Sequence, residues 1–135
     1  MNDHDQQRNG AEASAALYRC FDRTSLEKRV FGKRALMRKM VQMFLDELPQ
    51  NLADIDAAVA SADSSALERS AHRLKGSAAT LSAPAAAAAA AALELAARSA
   101  DMTGTGAALA HLQHACAALA GEFARLLDEP GSGGD

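Results

Sequence analysis

His72, Lys75 and Gly76 fall within one short stretch, Ala71-His72-Arg73-Leu74-Lys75-Gly76-Ser77. A neutral imidazole supplies a nitrogen nucleophile. An ammonium three residues on lies on the same helical face and can stabilise an anion. Arg69 and Arg73 lie within two turns of the histidine, so a chain of net charge −3 carries a local positive patch here. Such a patch suits a transferring phosphoryl group. Gly76 is the odd member. Glycine inside a helix costs roughly 1 kcal/mol relative to alanine, and this chain uses alanine almost everywhere else. Its presence implies that room beside the imidazole matters. Taken alone, these residues equally fit a solvated surface histidine and a glycine used for close packing.

The element that carries them reads as a helix from Ser64 to about Thr80, with Asp63 as N-cap. Its seam is Leu67, Ala71, Leu74, Ala78 and Leu81, in alternating steps of four and three. His72 is rotated about 100° from the seam residue Ala71, so it is expected on the bundle surface with Glu68, Lys75, Gly76 and Ala79. Upstream, Met37, Val41, Phe44 and Leu48 define one helical face from Lys33 onward. Leu52, Ile55 and Val59 continue it beyond Pro49, where a kink or a restart is expected. Downstream, Pro84 suits a first helical turn, and that helix runs through Ala85–Ala92 to about Ser99. The alanine run carries no chemistry, but its small side chains permit close approach of a neighbour. A last helix spans about Ala107 to Asp128, with the seam Leu109, Leu112, Cys116, Leu119, Phe123 and Leu126. Shorter helices are expected over 13–21 and 25–31, the second stopped by Gly32.

These stripes predict an all-α fold: an antiparallel, up-down four-helix bundle with a short additional N-terminal helix. One domain over 13–129 is flanked by a disordered tail (1–12) and a flexible end (130–135, PGSGGD). Aromatic residues make up 4% and there is no Trp, as suits helices rather than strands. The net charge gives no basic surface for nucleic acid. No run is long enough to span a bilayer, and MNDHDQQRNG holds no secretory signal. A cytoplasmic protein with two free, buried cysteines, Cys20 and Cys116, is the expectation.

The stretch Ala71 to Ala79 resembles the A-H-x-L-K-G-[SA] motif of histidine phosphotransfer (HPt) domains. Phe44-Leu45-Asp46-Glu47-Leu48-Pro49 is similar to that family's F-L-x-E-x-P segment, Ala62-Asp63 to its G-D turn, and Leu93-Glu94 to the L-E on the following helix. Two departures stand out: Ser82-Ala83 replaces Gly-Ala, and Ala85–Ala92 replaces larger apolar residues. The resemblance implies a carrier rather than a complete enzyme. His72 would accept a phosphoryl group from a receiver-domain aspartate and pass it to another receiver. Lys75 would stabilise charge on the phosphoryl oxygens, with Arg73 and Arg69 in support, and Gly76 would leave room for the receiver. Glu94 would either hold the second imidazole nitrogen and fix its tautomer or be only a surface residue. The implied partners are receiver domains of response regulators or of a hybrid sensor kinase. The domain is expected to be monomeric, with no cofactor of its own and Mg2+ supplied by the receiver.

No Gly-rich phosphate loop and no acidic metal cluster is present, in keeping with chemistry supplied in trans. Other readings are a non-catalytic helical interaction module, a histidine-kinase dimerisation helix pair, and a metal site at His111 and His114. The kinase pair typically carries an acidic residue after its histidine, where this chain has Arg73. The metal site lacks a third ligand. The Met1 start and polar tail suit a free-standing protein, and flexible ends equally suit a domain of a hybrid kinase.

Overall fold

Caps and apolar seams set where each helix begins and which face it buries. In a computed structural model that describes residues 18–130, the chain forms α1 (Arg23–Arg29), α2 (Arg34–Ala60), α3 (Ser64–Thr80), α4 (Pro84–Arg98) and α5 (Thr105–Asp128), with no strand among the described residues. The proposed tail 1–12 and residues 131–135 lie outside the described residues.

The expected helix over 13–21 is absent from its described part: Tyr18 to Phe21 are bent or extended. The reason is long-range. Glu122 of α5 accepts the backbone N–H groups of Arg19 and Cys20, at 3.0 and 2.8 Å, and so takes donors that a helix would use. Asp22 then caps α1 by accepting from Ser25 N at 3.0 Å. α1 therefore begins earlier than the sequence suggests. Phe31 and Gly32 both adopt left-handed backbone as it ends.

α2 runs unbroken through Pro49. Its buried positions are Met37, Val41, Phe44, Leu48, Asn51, Ile55 and Ala58, an unbroken alternation of fours and threes. Asn51 and Ala58 thus take the places that Leu52 and Val59 were expected to fill, and those two are half-buried. The geometry of a continuous helix outweighs the size of the side chains available. The α3 and α5 seams are buried as their spacing predicts. Cys116 is buried and free, whereas Cys20 is free but only half-buried.

α2 packs on α3, α3 on α4, α4 on α5 and α5 back on α2, and the α3–α4 contact is the most extensive. The alanines of α4 permit this: Ala86, Ala89, Ala90 and Ala97 are all buried. Phe21, Phe44 and Phe123 cluster at one end of the core, with ring centroids 4.8 and 5.6 Å apart. Arg38 of α2 donates to the terminal carbonyls of α5, at 2.6 Å to Leu127 O, where the helix dipole favours a cation. No helix among the described residues is long and apolar enough to cross a membrane.

Candidate functional site

Asp63 starts α3 by accepting the Ala66 N–H at 3.0 Å. The seam Leu67, Ala71, Leu74 and Ala78 then faces inward. That fixes His72, one residue past Ala71, on the outside, with its side chain 67% exposed. A short turn joins α3 to α4, with Pro84 in the first turn of α4. His72 lies eight residues before the end of α3, and Glu94 ten residues into α4. At a rise of about 1.5 Å per residue, the two stand nearly level on adjacent helices.

They meet. Glu94 Oε2 forms a hydrogen bond with His72 Nδ1, and Glu94 Oε1 accepts from Lys75 Nζ at 2.5 Å. The Glu94 carboxylate is 3% exposed and is no surface residue, which removes one of its two expected readings. Its carboxyl is held below the ordinary carboxylate range. The Lys75 hydrogen bond does most of this, burial opposes it, and the His72 bond adds to it. An ionised carboxylate only accepts, so Nδ1 carries the hydrogen. In the neutral ring the lone pair then sits on Nε2.

Gly76 lies in the same face, and a Cβ built there would meet nothing within 4 Å. Close intramolecular packing therefore does not explain this glycine. Beside it an open groove of about 460 Å³ runs between α2 and α3. Met40, Met43 and Glu47 form one wall, and His72, Arg73 and Gly76 the other. Met43 is half exposed and, with Met40, makes this wall apolar.

The site thus unites His72, Lys75 and Glu94, with Arg73 and Gly76 along the groove. Arg69 is directed elsewhere, donating to Ser65 Oγ at 2.9 Å. Lys75 rests on Glu94 rather than standing free. Three participants were missed in the sequence. Arg98 reaches Glu94 Oε2 at 3.4 Å and Glu68 Oε1 at 3.3 Å. Its i, i+4 spacing from Glu94 was the available signal. Met40 and Met43 lie just off the α2 seam, where nothing in the sequence marks an exposed methionine. His111 and His114 are both exposed. Among the described residues no cluster of three metal-ligating side chains exists.

No curated protein matches the chain in sequence. The fold superposes on that of histidine-containing phosphotransfer protein B from Pseudomonas aeruginosa, with a TM-score of 0.78 and 20% identity. The match covers 83% of this chain and 97% of that one. A family model of the Hpt domain matches residues 39–122, which include α3, α4 and every residue of the His72–Glu94 cluster. With well over half of its 135 residues so matched, the chain belongs to the Hpt domain family.

Proposed function

We propose that this chain is a phosphoryl carrier whose four long helices form an antiparallel bundle. His72 takes a phosphoryl group from the aspartate of one receiver domain and yields it to another. The observation that carries the reading is the exposed imidazole, held at Nδ1 by a buried carboxylate, its other nitrogen without a partner among the described residues, beside an unobstructed glycine.

Nε2 attacks phosphorus as the bond from phosphorus to the aspartyl oxygen breaks, and the electron pair of that bond leaves with the aspartate carboxylate. Nδ1 keeps its proton, so the ring gains positive charge. Glu94, on that proton, opposes the developing charge with its own, as a buried carboxylate does behind a catalytic imidazole. Gly76 leaves space for the receiver, and the Met40–Met43 wall offers it apolar surface. The Mg2+ that screens the phosphoryl oxygens belongs to the receiver in this reading.

The test uses receiver domains prephosphorylated by a small-molecule donor, with the wild type and His72→Gln side by side. Label is expected on the wild type alone, lost in acid and kept in base, as a phosphoramidate should be. Equal labelling of His72→Gln, or none of the wild type by any receiver, would leave a helical interaction module as the better reading.

A further inference from the structure

The Glu94 carboxylate creates a difficulty for a phosphohistidine. In the structure Lys75 Nζ is bound to Glu94 Oε1. A lysine so engaged has to divide its single charge between that carboxylate and a phosphoryl group on Nε2. If it leaves, the carboxylate keeps its negative charge, nearly buried, close to a group that carries more. A second cation is already in place. Arg98, one turn beyond Glu94 on α4, lies on the very oxygen that holds His72 Nδ1, at 3.4 Å, and its Nε lies 3.3 Å from Glu68 of α3.

The two cations differ in kind. Arg98 presents a planar fork that spans two carboxylates on two helices, with a side chain 60% exposed. Lys75 is a single point charge on a flexible stem, bound through one atom and about one-third exposed. It shares a helical face with His72, three residues away. Of the two, only Lys75 lies on the histidine's own helical face, within reach of a group on Nε2.

We propose that Arg98 is a positioning residue that keeps the Glu94 carboxylate paired on phosphorylation, and so releases Lys75 to the phosphoryl oxygens. The unphosphorylated site has Lys75 and Arg98 sharing Glu94. The phosphorylated site has Arg98 and Nδ1–H on Glu94, with Lys75 on the phosphoryl group. The inference rests on His72 being the acceptor, and it adds a role for a residue outside the histidine motif.

The test uses phosphoramidate as donor: the N–P bond to His72 forms, the donor's P–N bond breaks, and ammonia leaves with a proton from water. Rates are compared for the wild type, Arg98→Met, Lys75→Met and the double variant. A partly exposed pair contributes under about 1 kcal/mol, which corresponds to a rate loss of roughly threefold for Arg98→Met. If Arg98 acts by freeing Lys75, the double variant is no slower than Lys75→Met alone. Arg98→Lys, which restores the charge, recovers most of the rate. In the wild type the Lys75 Nζ nitrogen resonance shifts on phosphorylation, and in Arg98→Met it does not.

Independent, multiplying rate losses would overturn the proposal, as would an unaffected Arg98→Met or a Lys75 resonance that ignores phosphorylation. An Arg98→Met loss that follows its loss of thermal stability, with no rescue by Arg98→Lys, would mean that Arg98 merely ties α4 to α3. Failure of the underlying carrier reading looks different: the wild type itself takes no label, or His72→Gln takes as much.

Discussion

At the scale of single residues, Gly76 separates folding from function. Its backbone is ordinary helix and a Cβ would meet nothing within 4 Å, so nothing among the described residues requires glycine. Gly76→Ala is therefore expected to stabilise the fold by about 0.5–1 kcal/mol, through helix propensity and a less flexible unfolded chain. The same substitution places a methyl group in the groove beside His72 and should slow phosphoryl exchange with receivers while sparing labelling by a small donor. Denaturant unfolding and the two labelling rates check this together. Loss of stability, or equal slowing with both donors, would show that the glycine serves the chain itself. Glu94 marks where single-residue reading fails. Only the family resemblance points to Glu94 beside the imidazole, and hydropathy alone would favour Leu95 for the core and Glu94 for the surface. The structure does the reverse, with Leu95 66% exposed and Glu94 3% exposed. Partners on another helix decide this: His72 and Lys75 of α3 hold the carboxylate, with Arg98 one turn on along α4, and α4 is turned to present it. An alanine run offers too little contrast between faces to reveal that rotation.

At the scale of the element, α3 was legible from end to end, because Asp63 caps it and its seam is regular. His72 followed from that seam by one step of rotation. The N-terminal segment was not legible, because its backbone donors are taken by Glu122, 103 and 102 residues away from Arg19 and Cys20. The helix ends show a further economy. Phe31, Ala62, Ser82 and Ala100 all adopt left-handed backbone just past a helix, where glycine is the usual residue. After α2, Asp63 N donates to Ala58 O at 2.9 Å, and after α4, Asp101 N donates to Ala96 O at 3.2 Å, which closes both turns. A left-handed alanine costs about 1–2 kcal/mol, and glycine's extra unfolded-state freedom returns part of that. Ala62→Gly and Ala100→Gly should each stabilise the protein by about 0.5–1 kcal/mol, and so raise Tm by about 2–6 °C. Ala88→Gly, exposed within α4, should lower it by a similar amount. Thermal denaturation decides the matter. If all three lower Tm, the left-handed turns carry no strain worth relieving.

At the scale of the whole molecule, Tyr18 to Asp22 forms a strap that ties the segment ahead of α1 to the end of α5. Tyr18 OH donates to Glu129, Arg23 Nη1 reaches the same carboxylate oxygen at 2.6 Å, and Asp22 N donates to Ser82 O at 2.8 Å, at the turn that follows the His72 helix. Burial opposes ionisation of Glu129, but hydrogen bonds from Arg23 and Tyr18 outweigh it and hold its carboxyl below the ordinary 4.5. A carboxyl depressed on folding stabilises above its unfolded value and loses that contribution as pH falls through its folded one. Burial first, then the Glu129 bond, pushes the Tyr18 phenol up to about 12. A phenol raised on folding stabilises below its unfolded value near 10 and loses that contribution as pH climbs toward 12. The strap is therefore firmest between those limits. The chain has one Tyr and no Trp, so tyrosine fluorescence reports on the strap alone, while far-ultraviolet circular dichroism reports on the helices. As pH falls below about 4.5, the fluorescence should change before the helices melt. In Glu129→Gln that acid step should vanish, with the altered signal already present at neutral pH, and labelling of His72 should be unchanged. A fluorescence change that coincides with loss of the helices, or that survives intact in Glu129→Gln, would mean that the strap opens only when the whole domain unfolds.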